Sequence, residues 1–121
     1  QETEAEIAFI RKESGKPVIK AIQITDGREL AEWKDSEADY LLFDGGSGEG
    51  KTFDWSLAGL ARTVEKPFFL AGGLHACNVA EAVRLFAPFA LDVSSGVEWE
   101  GKKDQGRITD FMKAVRICMN C

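Results

Sequence analysis

Short, near-continuous apolar runs recur along the chain with helix-like segments between them, and this alternation restricts the possible folds more than any other feature. The runs are residues 18–24, 39–44, 67–71 and 90–93. They are too short for helices and have the length and composition of strands. Because a helical segment follows each run, neighbouring strands are expected to pair in parallel through crossovers. The sequence therefore predicts an α/β fold with four parallel strands.

The segments between the strands have the apolar spacing of helices that pack on a sheet. After the third strand, four apolar residues fall on a single helical face, namely Val79, Ala82, Val83 and Phe86. The chain also opens with a helix, over residues 2–12, which Gly15 and Pro17 are expected to end. A last helix is expected to begin at Asp104. The near-continuous apolar strands predict a sheet with helices on its outer face and packed side chains on its inner face, and we expect residues 1–121 to form one unit.

The charge balance disfavours one class of partner. Asp and Glu number 20 against 15 Lys and Arg, which gives a net charge of −5. Such a chain has no basic field to hold a nucleic-acid backbone. The sequence also shows no apolar run near the ~20 residues of a membrane-spanning helix. We therefore expect a soluble, cytoplasmic protein with neither a nucleic-acid nor a membrane partner.

Three cysteines and one histidine are the residues that would first suggest metal or redox chemistry. Cys118 and Cys121 form a C-x-x-C, but a structural zinc site needs four ligands and the sequence has no second C-x-x-C. Cys77 makes the number odd, which favours reduced thiols. For His75, a solvated loop side chain is favoured over a catalytic one. No metal site is predicted.

Two loops combine glycine and serine directly after successive predicted strands. Gly72 and Gly73 follow the third strand, and Ser94, Ser95 and Gly96 follow the fourth. Glycine lets the backbone approach a phosphate and point N–H donors at it, while serine adds hydroxyl donors. Either segment alone is equally typical of an ordinary turn. Loops that follow parallel strands lie at one edge of the sheet, so together they predict a phosphate-binding site.

Asp44 ends the second predicted strand and precedes a glycine-rich loop, residues 45–51. A carboxyl group there lies at the carboxyl ends of the strands, where the two loops also begin. Its apolar neighbours Leu42 and Phe43 favour the protonated form that general-acid catalysis needs. The alternative is an aspartate that caps the turn. Asp92, the other strand carboxylate, is expected to make a buried structural hydrogen bond.

Several sequence blocks can be recognised in order along the chain. They are Leu42-Phe43-Asp44, Gly50-Lys51-Thr52-Phe53-Asp54-Trp55, Leu70-Ala71-Gly72-Gly73-Leu74, Asn78-Val79, Asp92-Val93-Ser94-Ser95-Gly96-Val97-Glu98 and Gly101-Lys102-Lys103-Asp104. Together these blocks resemble phosphoribosylanthranilate isomerase over essentially the whole chain. One departure is that Glu49 and Gly50 separate the first glycines of the loop from Lys51.

The resemblance implies an enzyme of tryptophan biosynthesis with a (β/α)₈ TIM barrel. This chain would form the C-terminal half, with helix four and βα units five to eight. The implied activity is the Amadori rearrangement of N-(5-phosphoribosyl)anthranilate to 1-(2-carboxyphenylamino)-1-deoxyribulose 5-phosphate, an aldose–ketose isomerisation without metal or cofactor. The family's general acid falls on Asp44. Its phosphate site falls on Gly72, Gly73, Ser94, Ser95 and Gly96.

The resemblance also implies that part of the active site lies elsewhere. In the family, the general base is a cysteine on strand one, and an arginine of the first half meets the anthranilate carboxylate. Neither matches a residue of this chain. On its own, the half-barrel would expose two edge strands and the apolar side chains meant for the barrel interior. We therefore expect the chain alone to be inactive and to pair with the missing N-terminal half-barrel or with a second copy of itself. The alternative is a non-catalytic half-barrel that binds phosphorylated ligands or self-associates.

Overall fold

The centre of the fold is a parallel sheet, seen in a computed structural model that describes residues 2–24, 28–45 and 55–119. Its strands pair in the order β1-β2-β3-β4, every pair being parallel. The strands are β1 (Ile19–Gln23), β2 (Tyr40–Asp44), β3 (Phe68–Ala71) and β4 (Ala90–Asp92). Each lies inside its predicted run and is one or two residues shorter. The predicted α/β fold with a parallel sheet is confirmed.

Helices separate the strands as predicted. They are α1 (Glu4–Ser14), α2 (Arg28–Trp33), α3 (Ala58–Ala61), α4 (Val79–Phe86) and α5 (Gln105–Met119), with a 3₁₀ turn, Trp55–Leu57, before α3. The backbone N–H of Arg107 donates to the carboxylate of Asp104 at 2.9 Å, so Asp104 begins α5 in the predicted way. Within the described ranges, none of the helices is both long enough and apolar enough to cross a membrane.

Helix α1 begins and ends with well-defined capping interactions. The Glu6 N–H donates to the Thr3 hydroxyl at 3.2 Å, and the Thr3 N–H donates to the Glu6 carboxylate at 2.8 Å. This reciprocal pair satisfies two backbone donors that the helix leaves free. At the other end Gly15 has φ 64°, a left-handed conformation that glycine adopts without steric cost. The predicted stop at Gly15 is confirmed.

Asp39 joins α1 to the start of β2. Its carboxylate accepts from the Val18 N–H at 2.8 Å and from the Arg11 guanidinium at 3.1 Å. The hydrogen bond from the Val18 N–H, and to a smaller extent the bond from Arg11, hold the pKa of Asp39 below its usual value. The carboxylate thereby ties the C-terminal part of α1 to the strand ends opposite Asp44.

One face of the sheet packs against the helices. Alternate strand residues, Ile22, Leu41, Phe43 and Leu70, are buried in one cluster with the helix residues Ile7, Leu30, Val79 and Phe86. Phe43 and Phe68 stack there with ring centroids 4.7 Å apart. Because successive side chains of a strand point to opposite faces, this core leaves the other set of strand residues on the far side of the sheet.

We call that far side the open face; it carries Ile19, Tyr40, Leu42, Asp44 and Phe69, with Phe89 beside it. Tyr40 lies against the rings of Phe69 and Phe89, with centroids 5.8 and 5.6 Å apart. Ile19 is 48% exposed and Phe89 is 65% exposed. The helices thus cover one face of the sheet, as predicted, and the strands present a second apolar face that no described helix covers.

A small hairpin between β4 and α5 was not predicted. Its strands, β5 (Glu98–Trp99) and β6 (Lys102–Lys103), are antiparallel. The turn residues Glu100 and Gly101 have φ of 51° and 79°, the conformations that a tight hairpin turn requires. A 3₁₀ turn, Ser95–Val97, connects β4 to this hairpin. The hairpin thus lies directly against the predicted phosphate loop.

Candidate active site

The carboxyl ends of three strands bring two aspartates into one row. Asp44 pairs in register with Ala71, and Ala71 pairs with Asp92. Neighbouring strands lie about 4.8 Å apart, so the backbones at Asp44 and Asp92 are separated by about 10 Å. The small side chain of Ala71 lies between them. This row forms the end of the sheet at which the predicted loops begin.

A cleft of about 280 Å³ lies over this end of the sheet. It is lined by Asp44, Ala71, Gly72, Gly73, Leu74, Asp92, Val93, Ser94, Ser95 and Gly96. The structure therefore brings together in one cleft all six residues that the sequence singled out for catalysis and phosphate binding. Gly45 donates its N–H to the Ala71 carbonyl at 3.0 Å, and the rest of the predicted glycine-rich loop lies outside the described residues.

Two consecutive glycines shape the loop after β3. Gly72 has φ 92° and Gly73 has φ 68°. Residues with a side chain rarely adopt either conformation, whereas glycine does so freely. The chain can consequently turn sharply out of the sheet while its backbone stays at the wall of the cleft.

Gly96 allows the loop after β4 to touch the loop after β3. A Cβ atom on Gly96 would lie 1.8 Å from the carbonyl oxygen of Leu74, well inside any permitted contact. The two backbones can pack together only because that atom is missing. The loops after β3 and β4 therefore form one continuous wall of the cleft.

Asn78 holds the loop after β3 in place, a role that was not predicted. Its side chain accepts from the His75 N–H at 2.9 Å and donates to the Gly73 carbonyl at 2.9 Å. Asn78 is buried, with 9% of its surface exposed. Asn78 directly precedes α4 and resembles an ordinary helix cap in sequence, but its hydrogen bonds go back to the loop.

Lys103 holds the loop after β4 and was also not predicted. Its ammonium group donates to the Ser94 carbonyl at 3.1 Å and to the Ser94 hydroxyl at 3.3 Å, and it pairs with the Glu98 carboxylate. The Val97 N–H donates to the same carbonyl at 3.3 Å. The hairpin that carries Lys103 is therefore bonded to Ser94, the first residue of the loop after β4.

Asp92 is exposed and lines the cleft, so the prediction of a buried structural hydrogen bond is wrong. β4 is an edge strand of the described sheet and ends at this residue. Asp44 is half-buried at the other end of the row. Among the described residues that line the cleft, both charged side chains are acidic, and any anion bound there needs donors from the backbone or from neighbouring cations.

The residues considered first for metal chemistry lie apart from the aspartate row. His75 is exposed, and its Nδ1 accepts from the Cys77 N–H at 3.2 Å. Cys77 is exposed and is not part of a disulfide. For the pair Cys118 and Cys121, the second cysteine lies outside the described residues. In the part of the chain that the structure describes, no group of three or more His, Cys, Asp and Glu side chains is placed to hold a metal ion.

Fold and cleft together define an α/β protein with a cleft at the carboxyl ends of its parallel strands, lined by two aspartates and two glycine-containing loops. A family model described as N-(5'phosphoribosyl)anthranilate (PRA) isomerase matches residues 1–114. The chain belongs to this family.

Individual relatives agree with the family match. The chain is 48% identical over 101 residues to N-(5'-phosphoribosyl)anthranilate isomerase of Streptococcus mutans, covering 83% of this chain and 50% of the relative. The solved phosphoribosyl anthranilate isomerase from Thermotoga maritima has a TM-score of 0.78 and 38% identity, covering 91% and 57% of the two chains. Another solved isomerase has a TM-score of 0.71 and 29% identity, covering 96% and 68%. The chain spans about half the length of the curated relatives it matches.

Proposed function

We propose that this chain supplies the general acid and the phosphate-binding loops of a phosphoribosylanthranilate isomerase that acts in tryptophan biosynthesis. The observation that carries the proposal is the cleft of about 280 Å³ in which Asp44 faces the loops after β3 and β4. Phosphate sites of (β/α)₈ barrels commonly lie in the loops after strands seven and eight. On this proposal β1 to β4 are strands five to eight, and α1 is helix four.

The phosphate of the substrate is proposed to bind the backbone of Gly72, Gly73, Ser95 and Gly96, with Ser94 adding its hydroxyl. Both loops line the cleft, and glycine lets their N–H groups approach an anion closely. The solved isomerase that is 29% identical is in complex with reduced 1-(o-carboxyphenylamino)-1-deoxyribulose 5-phosphate. A phosphorylated ligand of that kind supports a phosphate-binding role for these loops.

Asp44 is proposed to be the general acid. Its proton goes to the furanose ring oxygen, the ring C–O bond breaks, and the substrate becomes a Schiff base. A base then removes the proton from C2 to give an enolamine, which tautomerises to the ketone. Every step is a proton transfer with internal electron movement, so the chemistry calls for no metal or redox cofactor. Binding energy at the phosphate serves to orient C1 and C2 at the acid and base.

The base and the group that binds the anthranilate carboxylate are proposed to come from outside this chain. The family resemblance assigns them to a cysteine on strand one and an arginine of the first half-barrel. The chain covers half of its Streptococcus mutans relative, which supports this division. We therefore propose that the chain alone is inactive and that its partner is an N-terminal half-barrel.

A single-chain fusion tests the proposal. In the fusion, the N-terminal half of the Streptococcus mutans relative precedes residues 1–121. We call this fusion protein the completed barrel. Circular dichroism and sedimentation establish folding, and the loss of anthranilate fluorescence measures turnover. We expect turnover by the completed barrel and none by either half. Turnover by residues 1–121 alone would contradict the division of the site, and a folded completed barrel without turnover would contradict the proposed function.

The open face favours a second candidate, a non-catalytic half-barrel that binds phosphorylated ligands or self-associates. Ile19 and Phe89 leave apolar surface on that face, and apolar surface of this kind is usually covered by a partner. This candidate predicts phosphate binding by a dimer of residues 1–121, whereas the enzyme proposal predicts turnover once the barrel is completed. The same fusion separates them.

A further inference from the structure

The contacts of Lys103 fix the peptide that joins the first two residues of the phosphate loop. Its ammonium group lies 3.1 Å from the Ser94 carbonyl oxygen. In a trans peptide the carbonyl and the following N–H point in opposite directions. Holding the Ser94 carbonyl towards β6 therefore turns the Ser95 N–H away from Lys103, and Ser95 lines the cleft.

The same ammonium group determines how the Ser94 hydroxyl is used. Lysine donates hydrogen bonds and cannot accept them, so at 3.3 Å the Ser94 oxygen accepts from Lys103. The hydroxyl proton is then left to be donated. The acceptor that it has in the structure, the Glu98 carboxylate, is 3.5 Å away, which is longer than a good O–H···O bond. A closer anion in the cleft would take that proton.

The negative charge of the cleft makes the orientation of the Ser94 and Ser95 donors important. The described side chains that line the cleft include two carboxylates, Asp44 and Asp92, and no cation. A phosphate dianion bound among them needs strong donors on the opposite wall. A cation on the Ser94 carbonyl polarises the peptide and strengthens its N–H as a donor, because hydrogen bonds in a chain reinforce one another.

We propose that Lys103 is a positioning residue for the substrate phosphate, acting through Ser94 without touching the phosphate itself. It orients the Ser95 N–H and leaves the Ser94 hydroxyl as a donor, while Glu98 holds the ammonium group in place. This inference rests on the proposed phosphate site, which it deepens by naming the residue that organises it.

The test measures binding of inorganic phosphate to the completed barrel by the NMR shifts of the Gly73, Ser95 and Gly96 amides, together with KM and kcat. We expect Lys103→Met to raise both the Kd for phosphate and the KM about tenfold. This is the size of effect expected when the charge-assisted bond from Lys103 to Ser94 is lost. Anthranilate carries no phosphate. We therefore expect its inhibition constant, and also kcat, to stay within about threefold of the parent values. Lys103→Arg, which keeps the charge and the donors, should stay close to the parent.

Lys102→Met is the matched control, because it removes the same charge from the neighbouring exposed residue of the hairpin. We expect it to leave phosphate binding unchanged. Unaltered phosphate binding in Lys103→Met would overturn the proposal, and so would an equal loss of phosphate and anthranilate binding, which would mark a structural role. If the parent protein binds phosphate without shifting these three amides, the proposed phosphate site itself fails, and the role of Lys103 fails with it.

Discussion

Asp44 ends a strand whose position is fixed by pairing on both sides, so its chemistry can be changed without moving the backbone. Asp44→Asn in the completed barrel keeps the shape of the side chain and removes the proton. A general acid used at ring opening stabilises the transition state more than the bound substrate. We expect kcat to fall about 10²-fold or more and KM to change less than about threefold.

The control for Asp44 is Asp110→Asn, which makes the same replacement at an exposed position of α5. It should leave both kinetic constants unchanged. If Asp44→Asn kept kcat within about threefold of the parent, Asp44 would have to be regarded as a structural carboxylate.

Gly96 offers a test of the wall between the two loops. Gly96→Ala places a Cβ 1.8 Å from the Leu74 carbonyl oxygen, so the backbones must separate. We expect the free energy of unfolding to fall by about 1–3 kcal/mol, as in other overpacked sites, and phosphate binding to weaken. Urea denaturation and the same phosphate titration measure the two effects.

Gly59→Ala is the matched control for Gly96, because a Cβ on Gly59 meets nothing within 4 Å. It lies inside α3, where alanine is favoured over glycine by up to about 1 kcal/mol, so stability should be unchanged or slightly raised. Equal stability of the two alanine variants would show that the loops do not need the close contact.

At single residues, the sequence predicted the site where local chemistry is distinctive. Asp44 and the glycine and serine pairs stand directly after apolar runs, and position after a strand was enough to place them in one cleft. Asn78 and Lys103 were missed because their partners come together only when the loops fold. Lys103 and Ser94 are nine positions apart, and neither helix nor strand periodicity brings residues at that separation together in a loop and hairpin.

Among the elements, the strands were predicted within two residues because each apolar run is bounded by turn residues. Hairpin β5-β6 was missed since strands of two residues show no periodicity, and Trp99 is 58% exposed. A continuous apolar run indicates that both faces of a strand can be buried without showing what buries them, so the uncovered face was expected only from the family resemblance.

The link between α1 and β2 predicts how stability depends on pH. Asp39 has a lowered pKa because its ionised form is held by Val18 and Arg11. Its stabilisation is therefore complete above the unfolded-state pKa of about 3.9 and is lost as the pH falls through the lower folded-state value. We expect the difference in unfolding free energy between parent and Asp39→Asn to be constant above about pH 5 and to shrink below about pH 4.

Urea denaturation between pH 7 and pH 2 measures this difference. Asp35→Asn serves as the control, because Asp35 is exposed in the turn after α2 and should show little difference from the parent at any pH. A gap between parent and Asp39→Asn that stayed constant down to pH 2 would mean that ionisation of Asp39 does not contribute.

For the molecule as a whole, the sheet order leaves β1 and β4 with one unpaired edge each among the described strands. Unpaired edges and apolar surface favour association. We expect residues 1–121 on their own to form dimers or larger species in sedimentation experiments. Phe89→Lys, on the open face, should weaken the association.

Leu60→Lys is the comparison for Phe89, since Leu60 is 50% exposed but lies on α3, away from the open face. It should associate like the parent chain. A parent chain that sediments as a stable monomer would contradict the expected pairing, and an equal effect of both lysine variants would show that the open face has no special part in it.

Asp39 directly precedes β2, and Asp44 is the last residue of this strand. The two residues are about 16 Å apart along the extended chain. The contacts that secure the fold and the group proposed for catalysis thus stand at opposite ends of one short strand. Substitutions near the cleft can then alter ligand preference while the anchoring end is untouched. A scaffold divided in this way tolerates evolutionary change in its chemistry, and for an engineer the cleft loops are the segments to exchange first.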